Sequence, residues 1–136
     1  MELDDARHYV RANHHAVLAT LRRDGAPQLS PVSAGVDDAG RVVVSTRETA
    51  MKTKNLRRDP RAWLCVMSDR FYGRWVQVEG SASILALPEA MEPLVEYYRS
   101  IAGEHDDWSD YRAAMERERR VLLRIELTRA GPDVSG

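Results

Sequence analysis

The chain has 136 residues, of which 43% are hydrophobic and 30% charged, and its formal net charge is −1. This length fits one domain, and the near-neutral charge argues against a general nucleic-acid binder, which normally carries a basic excess. A single cysteine, Cys65, excludes an internal disulfide, and the sequence shows neither a signal peptide nor an apolar run near the roughly 18 residues of a membrane span. We therefore expect a cytoplasmic protein with no membrane and no nucleic-acid partner.

The first third of the chain predicts one helix followed by a three-strand meander. Apolar side chains recur at helical spacing near the N-terminus, and alternating runs joined by tight turns follow. Asp24-Gly25 is the first of these turns, and residues 37–40 form the second. The predicted elements are a helix over 2–13 and strands over 15–22, 26–36 and 41–46.

A basic segment, residues 45–60, follows the third strand. We predict a short helix there, with Thr49 as its N-cap, Leu56 buried and Pro60 as its stop. The basic residues are Arg47, Lys52, Lys54, Arg57, Arg58 and, just beyond the segment, Arg61. A helix start with free backbone N–H groups and nearby cations suits a phosphate or carboxylate, but a solvated basic helix explains the same pattern.

The rest of the chain predicts three more strands and two helices. The strands cover residues 62–68, 74–85 and 121–127, and the helices cover about 88–101 and 107–117. Residues 69–73 form a loop, and Gly80 indicates a bulge or a barrel corner within its strand. About six antiparallel strands with helices at the N-terminus, after strand 3 and before the last strand predict a mainly β fold, a small β-barrel. We expect one domain over 1–130 and a flexible tail over 131–136.

The strand over residues 26–33 carries polar groups on alternate positions. Gln28, Ser30 and Val32 share one face, which suits hydrogen bonding to the edge of a flat heterocycle but also fits simple solvent exposure. Pro27 and Pro31 make this an unlikely central strand, so we predict a barrel edge or a split where a ligand could enter.

Other candidates for chemistry are weak. Ser30 and Ser33 lack a nearby base and an oxyanion-hole motif, and Cys65 lies among apolar side chains and is expected to be inert. His14 and His15 are adjacent on a strand and point to opposite faces, so they cannot share a metal ion. The acidic segment 104–111 around His105 lacks a second histidine and is best interpreted as a linker in which Asp107 caps the next helix. We predict no catalytic residue and no metal site.

Several motifs in order resemble a known family. They are Lys52-Thr-Lys-Asn-Leu-Arg-Arg-Asp-Pro60, Val78-Glu-Gly80 and Ile101-Ala-Gly-Glu-His-Asp-Asp-Trp-Ser-Asp-Tyr-Arg112, together with the strand Ala16-Val-Leu-Ala-Thr-Leu21. Residues 10–128 resemble the split β-barrel flavin and deazaflavin proteins, the relatives of pyridoxamine 5′-phosphate oxidase. More narrowly, they are similar to the actinobacterial branch that uses the deazaflavin coenzyme F420.

The resemblance implies a homodimer with cofactor sites between protomers. It also implies a phosphate site at Lys52 with Ser45, Thr46, Ala50 and Asn55. The ring would lie against Gln28, Ser30, Pro31 and Val32, and Trp75 would come from the other protomer. Position 50 is often basic in close relatives, so Ala50 is a departure from the family pattern.

The activity that the resemblance implies is hydride transfer from F420 to an electron-poor small organic acceptor. Two alternatives stay open. One is an oxidase or reductase of the same fold that uses FMN. The other is a non-catalytic protein that binds the cofactor or a tetrapyrrole.

Overall fold

Seven antiparallel strands curl into a half-barrel, and four helices surround it. This computed structural model describes all residues from Met1 to Gly136. The strands are β1 (His15–Leu21), β2 (Pro27–Ser33), β3 (Gly35–Val36), β4 (Val42–Arg47), β5 (Arg61–Met67), β6 (Arg74–Leu85) and β7 (Arg120–Ser135). The helices are α1 (Leu3–Ala12), α2 (Met51–Arg58), α3 (Met91–Ala102) and α4 (Trp108–Arg117), none of which is long and apolar enough to cross a membrane.

The strand order is β2-β1-β5-β6-β7-β4-β3, so β2 and β3 form the two edges of the sheet. An edge position for β2 agrees with the prediction from Pro27 and Pro31, because proline cannot donate to a ladder. The curled sheet brings β2 into contact with β4, but no hydrogen-bonded ladder joins them. This gap is the split of the barrel, and the predicted mainly β split-barrel fold is confirmed.

Alternation along the strands fills the barrel interior. In β1, for example, Ala16, Leu18 and Thr20 are buried inside, whereas the residues between them face outward. Matching apolar residues of β4 to β7 complete the core, and α1 closes it with Ala6, Tyr9 and Val10. The contribution of β1 to the interior core therefore follows from period-two patterning, and α1 adds the helical part.

A second, smaller core lies on the outside of the sheet. Val43 and Leu122 point away from the barrel interior, yet both are buried because α3 and α4 cover them. The helical residues in this cluster include Leu94, Val95 and Met115. The pair α3–α4 is thereby fixed over the outer face of β4 and β7, next to the split.

Several boundaries differ from the sequence prediction. The predicted strand over 26–36 is two strands, because the chain leaves β1 at Ala34, whose N–H donates to the carbonyl of His14, and then pairs with β4. The helix after the meander therefore follows β4, and α3 begins at Met91 rather than Pro88. Residues 131–135 continue β7 alongside β6, although the domain boundary at 130 and the mobility of the tail stay predictions.

Gly80 lies at a register shift between β6 and β7, which agrees with the predicted bulge. A Cβ at this position would overlap the carbonyl oxygen of Glu126 on the neighbouring strand. Only glycine therefore allows the two long strands to approach this closely at the point where the sheet bends.

Candidate functional site

A cavity of about 440 Å³ opens beside the split, between the end of β2, the end of β4 and the helices α2, α3 and α4. Its lining combines residues that are far apart in sequence. They are Pro31, Val32, Ser33, Ser45, Thr46, Lys52, Tyr97, Tyr98, Tyr111, Met115 and Arg120. We call this the split cavity. It brings together Pro31, Val32, Ser45, Thr46 and Lys52 of the residues selected from the sequence.

Lys52 is the cation of the split cavity without an acidic partner. It lies in the first turn of α2, is partly buried, and its ammonium forms neither a hydrogen bond nor an ion pair. Burial lowers the pKa of Lys52 below its ordinary value, and the nearby positive charge of Arg120 lowers it further. A bound anion would reverse both effects, because it would compensate the desolvated charge.

Arg120 is held at the cavity by Glu118. Its Nε and Nη2 atoms donate to Glu118 Oε1 at 3.0 and 2.8 Å, and Arg47 lies 3.5 Å from the same carboxylate. The turn between α4 and β7 places Arg119 at φ 52°, a left-handed conformation that non-glycine residues seldom adopt. Lys52, Arg47 and Arg120 against Glu118 leave an excess of positive charge at this end of the cavity.

Tyrosines form the wall opposite β2. The Tyr97 hydroxyl donates to the carbonyl of Ser33 at 2.6 Å, and the Tyr111 hydroxyl donates to the carbonyl of Leu94 at 2.8 Å. Burial raises the pKa of Tyr111 to about 12 and also raises the pKa of Tyr97. Both hydroxyls therefore remain protonated at neutral pH and are committed to backbone carbonyls, so Tyr97 and Tyr111 offer ring faces rather than acid–base groups.

Tyr98 is fixed by an aromatic cluster behind the wall. Its ring centroid lies 5.1 Å from that of Tyr111, 5.7 Å from that of Trp108 and 5.0 Å from that of His105. The His105 Nδ1 atom accepts a hydrogen bond from the Asp107 N–H, and Asp107 caps α4 as predicted. The acidic segment thus supports the aromatic wall.

Two polar side chains of β2 have unpaired atoms. Gln28, Ser30 and Val32 share the inward face of β2, opposite the outward positions of Pro31 and Ser33. The Oε1 atom of Gln28 and the Oγ atom of Ser30 are buried and have no hydrogen-bond partner. Buried polar atoms are normally paired, but neither Gln28 nor Ser30 lines the split cavity. A ligand that pairs these two atoms must therefore extend from the cavity along the inward face of β2.

The structural roles of Ala50 and Asn55 were not predicted from the sequence. Ala50 is the N-cap of α2, in place of Thr49, and offers no side-chain cap to the free N–H groups of the first turn. Asn55 is fully buried, donates from Nδ2 to Thr20 Oγ1 at 3.1 Å, and accepts from Arg58 through Oδ1. Its side chain supports the helix against the barrel rather than lining the split cavity.

Trp75 does not line the split cavity of its own protomer. It lies at the start of β6, opposite Met67 and Val134, and its Nε1 donates to the carbonyl of Gly136 at 2.9 Å. A contribution of Trp75 to a cofactor site therefore requires a second protomer.

No helix covers the outer face of β2, β1, β5 and β6, where the polar Gln77 and Glu79 lie opposite Cys65 and Trp63. The rest of this face is a contiguous set of apolar side chains, all of them at least partly exposed: Val17, Ala19, Leu29, Pro31, Trp63, Cys65, Met67 and Trp75. We call this the apolar sheet face. Burial raises the pKa of the Cys65 thiol, which does not favour a thiolate there. Pro31 belongs both to this face and to the split cavity, so the two surfaces are continuous.

Sequence reasoning missed the part of the cavity that α3, α4 and the start of β7 provide. The missed residues are Tyr97, Tyr98, Tyr111, Met115 and Arg120. The adjacent Tyr97 and Tyr98 were the signal available in the sequence. Consecutive residues of a helix point in different directions, so at least one of these two rings had to lie away from the helix's main buried face. No group of three or more His, Cys, Asp or Glu side chains comes together as a metal site.

Comparisons with known proteins agree on the fold. The family described as pyridoxamine 5′-phosphate oxidase matches residues 3–131. A conserved hypothetical protein from Mycobacterium tuberculosis is 29% identical, with a TM-score of 0.77 over 96% of this chain and 82% of that one. An F420 reductase is 20% identical, with a TM-score of 0.71 over 92% of this chain and 94% of that one.

A heme binding protein from Mycobacterium smegmatis has the same fold. It is 21% identical, with a TM-score of 0.69, and the match covers 98% of this chain but 57% of that one. At such identities the likeness to the F420 reductase and to the heme binding protein is a likeness of fold.

Proposed function

The chain belongs to the pyridoxamine 5′-phosphate oxidase family, and on that premise we propose that it is an oxidoreductase that uses the deazaflavin coenzyme F420 to transfer a hydride to an electron-poor small organic acceptor. The observation that carries the proposal is Lys52, a partly buried cation without an acidic partner, at a helix start beside a cavity walled by tyrosines. An anionic cofactor with a flat ring would supply the negative charge that Lys52 has no partner for, and a ring that can lie against the tyrosines.

The residues present fit this cofactor. Lys52 and the free N–H groups of the first turn of α2 would hold the phosphate, with Ser45 and Thr46 beside it. The unpaired atoms of Gln28 and Ser30 would bond the polar edge of the ring, and Pro31 and Val32 would pack against it. Asn55 would act through the position of α2, not through contact.

When bound in its reduced form, F420 supplies a hydride from C5 of its ring. The protein contributes orientation, exclusion of water and the phosphate anchor. Tyr97 and Tyr111 keep their protons, because their hydroxyls are bonded to carbonyls and their pKa values are raised. We therefore assign no catalytic acid in this chain, and the proton for the product comes from solvent.

We also propose that the protein works as a homodimer. Partner contact over the apolar sheet face would bury its exposed side chains, and Pro31 carries that face to the rim of the split cavity. A partner placed there would bring its own residues, including its copy of Trp75, towards the cofactor. The site would then lie between protomers.

FMN is a second candidate because of the charges at the cavity. Two arginines that would suit an oligoglutamate tail are engaged, since Arg57 bonds Glu48 at 2.7 Å and Arg58 donates to the carbonyl of Leu21 at 2.6 Å. Lys52 and Arg120 together suit the two charges of a phosphomonoester. Arg47 is engaged as well, since it lies 3.5 Å from Glu118, so these contacts leave the exposed Lys54 for a tail.

The deciding experiment is a parallel titration of the purified protein with F420 and FMN, followed by cofactor fluorescence. The proposal predicts micromolar or tighter binding of F420 and weaker binding of FMN. The reverse preference would move the protein to FMN chemistry. Binding of F420 without turnover on quinone, nitro and enone acceptors would favour a cofactor-binding protein without catalysis.

A further inference from the structure

A second and larger cavity, of about 590 Å³, lies on the other side of Tyr97 from the split cavity. It is bounded by α3, by the turn between β3 and β4, and by the outer face of β4 and β7. We call it the α3 cavity. Neither the sequence motifs nor the proposed cofactor site uses it, and its volume lies within the range of small-molecule pockets.

Arg124 is the unsatisfied group of the α3 cavity. It sits on the outer face of β7, between Val43 of β4 and Ser83 of β6. Its Nε atom is buried without a hydrogen-bond partner, and its guanidinium forms no ion pair. A buried donor that loses water and gains no acceptor is costly, and Nε is the atom of this half-buried side chain to which that cost applies.

The carboxylates around the cavity do not compensate Arg124. Asp37 is bound to Arg41 at 2.8 Å, Glu96 to Arg99 at 2.7 Å, and Glu92 to Arg112 at 2.6 Å. The remaining one, Asp38, is exposed on the turn at the rim. The guanidinium of Arg124 is thus the positive charge that an incoming anionic ligand can neutralise.

The floor and one wall of the cavity are apolar. Val43 and Leu122 line the floor, Val36 lines the side of β3, and the Tyr97 ring separates the cavity from the cofactor site. A ligand that fits must combine one anionic group with an apolar body. A carboxylate or sulfonate suits Arg124 well, because its oxygens accept from the planar fork of a guanidinium.

We propose that the α3 cavity binds a small organic anion with an apolar body, and that Arg124 is the residue that recognises the anionic group. This site is independent of the proposed cofactor function. A failure of F420 binding would leave it unaffected, and its own failure would leave the cofactor proposal unaffected.

The test uses two fluorescent probes that differ by one sulfonate group, namely 1-anilinonaphthalene-8-sulfonate and neutral N-phenyl-1-naphthylamine. The wild-type protein should bind the anionic probe roughly 10- to 100-fold more tightly, the range expected for a charge-assisted hydrogen bond. Arg124→Gln should remove this preference and leave the neutral probe unchanged. Arg129→Gln, which removes an exposed arginine of the same strand that lines neither cavity, should leave the preference intact.

Three results would overturn the proposal: equal binding of the two probes by the wild type, an unchanged preference in Arg124→Gln, or its loss in Arg129→Gln. If Arg124→Gln fails to fold, Ala39→Trp replaces it. Ala39 is exposed on the turn that bounds the cavity, so an indole there should obstruct the entrance while Arg124 is retained. Undiminished binding of the anionic probe by Ala39→Trp would also contradict the proposal.

Discussion

The side-chain amide of Asn55 donates to the hydroxyl of Thr20 across 3.1 Å inside the barrel, and both side chains are fully buried. This bond joins α2 to β1 and thereby fixes the helix whose first turn carries Lys52. A residue within a motif that indicates phosphate binding thus serves the site by positioning the helix.

Replacing Asn55 with alanine should lower the free energy of unfolding, because Asn55 supports α2 and does not contact the split cavity. The Thr20 hydroxyl would remain buried without its partner, which costs about 1–3 kcal/mol. Urea unfolding of Asn55→Ala against wild type measures this loss. The control is Lys54→Ala, an exposed position on the same helix, which should change the free energy of unfolding by about 0.5 kcal/mol or less. Equal stability of the two variants would contradict the structural role of Asn55.

Lys52→Ala should weaken cofactor binding by roughly 10- to 100-fold, because a hydrogen bond to a charged group contributes about 1.5–3 kcal/mol. Lys54→Ala is again the matched control, since it removes the same charge from the same helix but from an exposed position. Fluorescence titration with FMN, which has a phosphate but no tail for Lys54 to bind, compares the two variants directly. F420 is titrated with Lys52→Ala and wild type. A similar loss in the two variants would indicate a diffuse electrostatic effect instead of a phosphate site at Lys52.

Anion binding at Lys52 should depend on pH in a definite direction. Burial and Arg120 lower the pKa of Lys52 in the free protein, and a bound phosphate would raise it again. Between these two values binding takes up a proton, so affinity falls as pH rises through the lowered pKa and is constant below it. Titrations across the alkaline range test this dependence, and Lys52→Gln should abolish it. A pH dependence that persists in Lys52→Gln would assign it to another group.

The barrel was predictable because strand faces follow a period of two. Alternation in β1, β5 and β6 places Leu18, Leu64 and Val78 inside without knowledge of any partner strand. The same rule puts Gln28 and Ser30 on one face of β2, and its prolines indicate an edge. These inferences use only neighbours along the chain.

The aromatic wall was not predictable in this way, because it depends on where α3 and α4 pack. The Tyr97 hydroxyl bonds to Ser33, 64 positions away in sequence, and the Tyr98 ring is held by packing against Trp108 and Tyr111. The N-cap lies at Ala50, one residue beyond Thr49, and has no side-chain cap bond, so cap propensity alone did not locate this helix start. Helix placement against a sheet is tertiary information that spacing does not contain.

A charge on the apolar sheet face should dissociate the proposed homodimer without unfolding the protomer. Leu29 is 63% exposed, so Leu29→Glu removes little packing within one chain but would bury a carboxylate at a dimer interface. Light scattering after size-exclusion chromatography should show a dimer for wild type and a monomer for this variant. Glu89→Arg, an exposed charge change on the turn before α3, should stay dimeric. A dimeric Leu29→Glu would place the interface elsewhere.

Gly80→Ala should be among the most disruptive single-methyl changes in this protein. The added Cβ would meet the backbone oxygen of Glu126, which cannot move without breaking the contact between β6 and β7. Overpacking of a side chain lowers the free energy of unfolding by about 1–3 kcal/mol. Because Gly80→Ala clashes with backbone, we expect a loss at or above the upper end of that range. The exposed neighbour Ser81 provides the control, since Ser81→Ala changes no packed contact of this kind. Thermal and urea unfolding of both variants measure the difference. A Gly80→Ala protein as stable as Ser81→Ala would mean that the bulge can relax, and that glycine is not required for the bend at the split barrel.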